Sequence, residues 1–278
     1  MKRIAYLDGS FLPYEDARIP LDDRALFFGD AVYDACLAED GHIYMPKEHI
    51  ERLMTNAARL HIPLGEDRES LLRLLAEAAS YIEGTAFLYI QLSRTSPLRV
   101  HAYPDTAGSR LLLTATEVPP PSPCDTVRLI SAEDIRYGLC AVKTVNLLPA
   151  VLASRDAMEQ GADEAVFVKD GYITECAHSN ISIVKDGTLI TRPTDGTILP
   201  GLTRHRTLAL CREHGIPTVL RPFTVAELME AEDVLVSSSS RLCRRAVSVN
   251  GIPVGTASAL GERICRMLYD DYRLAVCQ

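Results

Sequence analysis

Five two-residue turn sequences divide this chain of 278 residues into pairs of short apolar segments. They are Asp8-Gly9, Asp40-Gly41, Asp170-Gly171, Asp186-Gly187 and Asn250-Gly251. Each dipeptide supplies the positive φ angles that a two-residue type I′ turn requires, so the flanking segments are expected to form antiparallel β-hairpins. Val-Lys-Asp-Gly occurs at 168–171 and again at 184–187. This repetition predicts consecutive hairpins of one sheet rather than a solenoid repeat.

Segments with helical periodicity lie between these hairpins. Along residues 47–61 the apolar side chains recur at intervals of three and four, which places them on one face. Gly161 and Gly215 stand where a helix typically ends. Thr224 and Glu227 have the spacing of a capping box at the start of a short helix. The sequence therefore predicts helices over 47–61, 67–82, 148–160, 202–214, 225–231 and 257–275.

The clearest domain boundary is a proline-rich segment. Four prolines within residues 118–123 disfavour both helix and sheet and favour an extended backbone. We therefore expect a linker over 118–124 that separates an N-terminal domain at 1–117 from a C-terminal domain at 125–278. The first has hairpin strands and two helices, and the second has many short strands with helices set between them.

Composition excludes several classes of function. A net charge of −8 and a pI near 5.4 argue against nucleic acid or an anionic membrane as partner. No apolar stretch approaches the ~20 residues of a membrane span, and Asp8 interrupts the first apolar run too early for a signal peptide. The eight cysteines show no Cys-x-x-Cys pair and no histidine at zinc spacing. We therefore expect reduced thiols, no metal site and a cytoplasmic location.

Lys143 lies within an otherwise apolar, partly β-branched run at residues 139–148, which predicts a buried strand end. The other lysines lie at the chain start, at a helix start or beside an Asp-Gly turn. Lysine is rarely buried unless it is paired or used, and desolvation favours the neutral amine that forms Schiff bases. A lysine that extends to solvent from a strand edge explains the position at least as well when it is considered alone.

Three further features can be either structural or functional. Residues 199–204 form a Pro-Gly turn that runs into a helix, and a helix start presents N–H groups that suit a phosphate. The four serines at 237–240 follow an apolar strand and offer hydroxyl groups to an anion. Glu175 closes a predicted strand, where a carboxylate can cap a turn or pair with a cationic nitrogen. Taken separately, each feature is more often structural.

One cofactor requires all of these groups together. Pyridoxal phosphate needs a Schiff-base lysine, an acid opposite its pyridinium nitrogen and an anion-binding cradle for its phosphate. In this combination, the chain resembles the class IV, fold-type IV pyridoxal-phosphate aminotransferases, and most closely the D-amino acid transaminases. The motifs that carry the resemblance are Arg-Ala-Leu-Phe-Phe-Gly-Asp-Ala-Val-Tyr at 24–33, Glu-His-Ile-Glu-Arg-Leu at 48–53, residues 142–148, Ile-Thr-Glu at 173–175 with Ser-Asn at 179–180, and Gly-Leu-Thr-Arg at 201–204.

The resemblance implies a fold and a cofactor site. The fold is expected to be α+β, with an N-terminal α/β two-layer sandwich and a C-terminal barrel-like β domain with helices. By resemblance, Lys143 forms the Schiff base and moves the Cα proton, and Glu175 keeps the pyridine nitrogen protonated. The implied cofactor-binding residues are Arg52, Lys143, Glu175, Leu199, Leu202, Thr203, Ser238 and Ser239.

The resemblance also implies how the substrate is recognised. Tyr33, Arg99 and His101 are expected to bind its α-carboxylate, for which the planar fork of an arginine is well suited. In the family, the loop with Arg99 and His101 comes from the neighbouring protomer, which implies a homodimer. The expected reaction is a ping-pong transfer of the amino group from D-alanine or D-glutamate to a 2-oxo acid.

The chain departs from the family pattern at several positions. Cys176, Ala177 and His178 follow the glutamate where relatives commonly have small Gly and Ser residues, and Ala141 replaces an acidic residue found in many relatives. We expect these changes to affect the substrate range rather than the cofactor site. An L-branched-chain aminotransferase and an aminodeoxychorismate lyase are alternatives on the same fold. A scaffold without catalysis is an alternative of another class, and the presence of both Lys143 and Glu175 argues against it.

Overall fold

The computed structural model describes residues 1–123 and 125–277, and this part of the chain divides into two compact units. The N-terminal unit comprises Met1–Pro120, Val142–Asn146 and the residues from Tyr272 onward, and the C-terminal unit comprises Pro121–Ala141 and Leu147–Asp271. Residues 142–146 thus group with the N-terminal unit, although they lie within the predicted domain 125–278. The domain bounds 1–117 and 125–278 stay a prediction. Residues 118–123 contain no helix or strand, and Cys124, at the end of the predicted linker, lies outside the described residues.

The N-terminal unit is an antiparallel sheet packed against helices. Its strands are β1 (Arg3–Leu7), β2 (Ser10–Pro13), β3 (Ala31–Glu39), β4 (His42–Ile43), β5 (Thr85–Thr95) and β6 (Gly108–Glu117). Its helices are α1 (Ala25–Phe28), α2 (Pro46–Arg59) and α3 (Arg68–Ser80), and a 3-10 turn covers Tyr14–Asp16. Within the described ranges the strand order is β2-β1-β6-β5-β3-β4. Leu53 of α2 and Leu75 of α3 pack with Val32 of β3 and Ile90 of β5, which forms the expected two-layer sandwich.

The C-terminal unit is built on a larger mixed sheet. Its strands are β7 (Thr126–Glu133), β8 (Glu164–Lys169), β9 (Tyr172–Cys176), β10 (Asn180–Lys185), β11 (Thr188–Thr191), β12 (Thr218–Leu220), β13 (Asp233–Ser238), β14 (Leu242–Val249) and β15 (Ile252–Pro253). The helices that follow or interrupt them are α4 (Leu148–Glu159), α5 (Leu202–Glu213), α6 (Val225–Met229) and α7 (Ala259–Val276), and the last turns of α7, from Tyr272, group with the N-terminal unit. Among the described strands the order is β12-β11-β10-β13-β14-β7-β8-β9, with β15 on β14. Parallel pairing occurs between β11 and β12, β14 and β7, and β7 and β8.

The local structure follows the sequence signals closely. All five predicted turn dipeptides adopt positive φ, with 53° at Asp170 and 80° at Gly171 as an example. Each predicted helix is present, and its ends lie within two residues of the predicted bounds. The capping box is confirmed, because Glu227 N donates to Thr224 Oγ1 at 3.2 Å and Thr224 N donates to Glu227 Oε2 at 2.9 Å. No helix in the described ranges combines the length and hydropathy of a membrane span.

The segment around Lys143 pairs with β3 but does not form the predicted strand end. Thr144 makes an isolated β-bridge with Val32, and the segment from residue 139 to the start of α4 belongs to no strand. On either side of this bridge, Tyr33 N donates to Lys143 O at 2.9 Å and Val145 N donates to Ala31 O at 3.3 Å, and Asn146 Nδ2 donates to Gly29 O at 2.9 Å. Lys143 is consequently half-buried rather than fully buried.

Candidate active site

Lys143 lies beside a tyrosine of β3. Its Nζ is 3.3 Å from the hydroxyl of Tyr33 and 4.3 Å from the centroid of the same ring. The ring of Tyr33 stacks on Tyr89 of β5 with centroids 5.3 Å apart. Burial, reinforced by Tyr33, raises the pKa of Tyr89, which keeps its hydroxyl protonated as the donor to Gln91 Oε1 at 2.6 Å. The structure therefore brings together two residues that the sequence assigned separately to the cofactor and to the substrate.

Arg52 is held by a buried carboxylate that the sequence analysis did not identify. Asp34 of β3 is fully buried and accepts hydrogen bonds from Arg52 Nε and Nη2, each at 2.8 Å. Its Oδ1 also lies 2.7 Å from His49 Nδ1. Burial alone would raise the pKa of Asp34, but the charges and hydrogen bonds of Arg52 and His49 outweigh burial and lower it. The bidentate pairing fixes the plane of the Arg52 guanidinium. The sequence feature that could have indicated Asp34 was the presence of an aspartate within an apolar strand.

Glu175, at the end of β9, is 5% exposed and is surrounded by donors. Asn180 Nδ2 donates to its Oε2 at 2.8 Å, and the backbone N of Leu199 lies 3.1 Å from both carboxylate oxygens. Arg136 forms an ion pair with its Oε1. Glu175 and Leu199 are therefore in contact, as their shared assignment to the cofactor site requires. Donation from several chain segments holds this carboxylate in a fixed position.

Arg136 is the second residue of this site that the sequence analysis did not identify. Besides Glu175 it binds Asp134 through Nη2 at 2.8 Å, and its guanidinium lies 4.8 Å from the ring centroid of Phe167. Burial alone would lower the pKa of Arg136, but Asp134 and Glu175 outweigh burial and raise it. Arg136 therefore keeps its charge. The sequence feature that could have indicated Arg136 was the charged pair of Asp134 and Arg136, which follows the apolar strand β7.

The start of α5 has the properties of an anion-binding site. Gly201 is its N-cap and provides no side-chain cap, while Thr203 in the first turn is buried. A Cβ at position 201 would collide with the side chain of Asn180, so this close approach requires glycine. The first N–H groups of a helix and its dipole favour a bound anion. Leu202 and Thr203 are the first two residues of this helix, and their role in binding a phosphate stays a prediction.

Ser238 and Ser239 lie where β13 ends and turns into β14. Both are partly buried, and Ser238 Oγ is 3.2 Å from Ser240 Oγ. Helix α5 packs against β13 within the same unit. The serine hydroxyls and the start of α5 are thus carried by neighbouring elements, although no direct contact between them is among those described.

Arg99 and His101 occupy the exposed loop between β5 and β6. The guanidinium of Arg99 lies 5.4 Å from the ring centroid of Phe27 and 5.2 Å from that of Phe28, and the ring of His101 lies 5.2 Å from Phe28. Among the described contacts neither side chain meets Tyr33. Arg99 and His101 therefore lie on one aromatic surface. The described contacts do not join them to Tyr33, the other residue predicted to bind the substrate.

His178, the largest departure from the family pattern, is held at the edge of the turn between β9 and β10. Its side chain is 53% exposed, and Nδ1 lies 3.2 Å from the buried carboxylate of Glu164. Arg244 Nη2 and Ser179 Oγ each donate to Glu164 Oε2 at 3.1 Å. The imidazole is therefore oriented by a buried ionic group.

Comparison with known proteins gives consistent matches. The family model described as Amino-transferase class IV matches residues 31–249. A D-alanine aminotransferase of Listeria monocytogenes serotype 4b is 35% identical over 246 residues, which cover 86% of this chain and 85% of the relative. The solved structure of a T.th. branched-chain aminotransferase, complexed with N-(5'-phosphopyridoxyl)-L-glutamate, superposes with a TM-score of 0.89. The match covers 99% of this chain and 94% of the aminotransferase chain, with 20% sequence identity. The structure of a proposed 4-amino-4-deoxychorismate lyase of Legionella pneumophila superposes with a TM-score of 0.85 at 24% identity. This match covers 93% of this chain and 97% of the lyase chain. These similarities confirm the expected α+β architecture of fold type IV.

Replacing the buried carboxylate tests its role in holding Arg52. We expect Asp34→Asn to lower the free energy of unfolding at pH 7 by about 3 kcal/mol, because Arg52 loses its buried partner. The pKa of Asp34 is lower in the folded chain than the ordinary value of about 3.9. Its contribution to stability is therefore fully present above that ordinary value and is lost as the pH falls toward the lower folded value.

Urea unfolding at a series of pH values between 7 and 3 measures this contribution, and the variant should show the weaker acid dependence. Asp156→Asn, on the exposed side of α4, is the control. Equal stability of the two variants would contradict the expectation.

Proposed function

The chain belongs to the class IV aminotransferases, and we propose that it transfers the amino group of a D-amino acid such as D-alanine or D-glutamate to a 2-oxo acid. We propose pyridoxal phosphate as the cofactor and a ping-pong order of two half-reactions. The D-alanine aminotransferase relatives support the choice of donor, and the phosphopyridoxyl ligand of the T.th. branched-chain aminotransferase supports the cofactor. The observation that carries the proposal is a buried Glu175 bonded by several donors, in a chain that also holds Lys143 against Tyr33.

The donor groups of this chain fit that cofactor. When bound, pyridoxal phosphate supplies an electron sink for the charge that develops at the substrate Cα. Lys143 Nζ would bind its aldehyde carbon and later carry the Cα proton, and the Tyr33 hydroxyl at 3.3 Å would orient the amine. Glu175 would hold the proton on the pyridine nitrogen, with Arg136 fixing the position of this carboxylate.

The phosphate would be held by groups at the start of α5 and at the serine turn. The N–H groups of Leu202 and Thr203 supply donors without a competing side-chain cap, and the hydroxyls of Ser238 and Ser239 supply further donors. Arg52 would add a positive charge whose orientation Asp34 fixes. Leu199 would pack against the ring.

Substrate recognition would use Tyr33 together with Arg99 and His101 of a second protomer. The loop between β5 and β6 is exposed, and its apolar residues Leu98 and Val100 are 65% and 42% exposed. An exposed apolar surface of this kind is typical of a protein–protein interface, which supports a homodimer in which each loop serves the partner's site. A cytoplasmic location stays a prediction.

The attachment point of the cofactor can be tested directly. Borohydride should fix pyridoxal phosphate on Lys143, because this amine is held by Tyr33 within the site, whereas Lys185 is a half-buried lysine paired with Glu230. Peptide mapping of the reduced protein by mass spectrometry identifies the modified lysine. Modification of Lys185 or Lys47 in place of Lys143 would remove the basis of the proposed function.

Another prediction concerns Glu175, the carboxylate proposed to face the pyridine nitrogen. Glu175→Gln keeps the shape of the side chain but removes the charge, so the variant should retain cofactor while turnover falls on the order of 100-fold. Cofactor content and single-turnover rates with D-alanine measure the two effects. Glu133→Gln, on the exposed end of β7, is the control. Near-normal turnover in the Glu175 variant would mean that another acid faces the ring nitrogen.

The remaining prediction concerns stereochemistry. Arg99→Ala should weaken transition-state and substrate binding by about 2–4 kcal/mol, because a charge-assisted bidentate contact to the α-carboxylate is lost. A panel of D and L donors measured with 2-oxoglutarate should favour D-alanine or D-glutamate, and Arg155→Ala on α4 serves as the control. A preference for L-leucine or L-valine would favour a branched-chain aminotransferase, and release of pyruvate from aminodeoxychorismate would favour the lyase.

A further inference from the structure

Arg24 joins the core of the N-terminal unit to the loop that carries Arg99 and His101. It is 4% exposed, and its Nε donates to Asp30 Oδ2 at 2.8 Å. Its Nη1 donates to Val100 O at 2.6 Å, and its Nη2 donates to His101 O at 3.0 Å. One planar guanidinium therefore binds a carboxylate and two consecutive loop carbonyls. This geometry fixes the loop backbone at the two residues that follow Arg99.

The anchor itself is rigid. Asp30 also accepts a hydrogen bond from Arg94 Nε at 3.0 Å, and the backbone N–H of Arg24 donates to Arg94 O at 2.9 Å. Arg94 is almost fully buried, and its remaining nitrogens bind the carbonyls of Leu60 and His61. Arg24 is thereby connected through Asp30 to the end of β5 and to the segment after α2.

Phe28 contacts Arg24 as well as the two loop side chains. The guanidinium of Arg24 is 4.5 Å from the centroid of the Phe28 ring, while Arg99 and His101 each lie 5.2 Å from the same ring. Arg24 therefore fixes both the backbone of the loop and the aromatic surface on which its side chains rest. Because Arg24 and Arg94 share the charge of Asp30, this region is also rich in positive charge, which favours a carboxylate ligand.

We propose that Arg24 is a positioning residue that determines substrate affinity by holding Arg99 and His101 in the conformation that receives the α-carboxylate. This inference rests on the proposed function, because it requires these two loop residues to bind the substrate. Arg24 itself does not touch the reacting atoms. Its action is exerted through the carbonyls of Val100 and His101.

The test combines a conformational and a kinetic measurement on the full-length holoenzyme. In Arg24→Gln, trypsin should cleave after Arg99 faster than in the unsubstituted protein, since the loop carbonyls lose their donors. The concentration of D-alanine that half-saturates the first half-reaction should rise about tenfold or more, with a smaller change in the limiting rate, because substrate binding rather than proton transfer is affected. Cofactor content and the Lys143 adduct should not change.

Arg24→Lys retains the charge but not the planar fork of the guanidinium. The D-alanine concentration that half-saturates this variant should therefore lie between those of the unsubstituted protein and Arg24→Gln.

A double-substitution cycle separates a positioning role from a general structural one. If Arg24 acts through the loop, Arg24→Gln should add little to the affinity loss of Arg99→Ala, because the two residues serve one contact. Asp30→Asn should change proteolysis and half-saturation in the same direction. Arg273→Gln removes an ion pair with Glu39 away from the loop and is the control for loss of an arginine.

Each outcome supports or overturns the proposal. Unchanged cleavage after Arg99 would overturn the anchoring role, and faster cleavage with unchanged half-saturation would overturn the role in substrate affinity. Full additivity with Arg99→Ala, or an equal effect of Arg273→Gln, would also overturn it in favour of general destabilisation. Absence of D-amino acid transamination in the unsubstituted protein would instead refute the proposed function, and the proteolysis result would then still report on the anchor.

Discussion

Buried carboxylates paired with arginines from other chain segments fix the candidate site residues within each unit. Asp34 binds Arg52, and Glu175 binds Arg136, which lies 39 residues away along the chain. An ionised carboxylate that is taken out of water without a partner costs several kcal/mol, so such a group is stable only where donors converge on it. The backbone segments that supply these donors are therefore confined to one arrangement. The positions of Arg52 and Glu175 follow from this confinement.

Arginine suits the positions of Arg52 and Arg24 because its planar guanidinium fixes the direction of its hydrogen bonds as well as supplying a charge. Arg52 and Arg24 each place several N–H groups in one plane, and each binds a carboxylate through part of that plane. A lysine would supply charge without this orientation. The difference matters for a site that must hold a flat cofactor and a small carboxylate substrate, because a misplacement of about 1 Å can cost ~100-fold in rate.

Features with local signals could be predicted from the sequence, and those that depend on distant partners could not. The turn at Asp170-Gly171 and the capping box at Thr224 are specified by neighbouring residues, and both formed as predicted. The segment around Lys143 pairs with β3 only through an isolated bridge between Thr144 and Val32, because β-branched composition does not specify how far a segment pairs with a distant strand. For Arg136 the charged pair after β7 did not indicate a role, since that role depends on Glu175, which Arg136 meets only in the folded chain. Family resemblance identified the groups assigned to the cofactor, and the structure was needed to identify the groups that orient them.

For the proposed substrates, the charge around the β5–β6 loop matters more than the net charge of −8. Screening reduces electrostatic interactions beyond about 8 Å at physiological salt, so a small carboxylate responds to the few groups near it. Around the β5–β6 loop, Arg24 and Arg94 share Asp30, and Arg99 adds a further cation. A long polyanion would also meet the acidic remainder of the surface, whereas an amino acid or a 2-oxo acid would not. The arginines around this loop thus favour a small carboxylate, which is the ligand proposed for it.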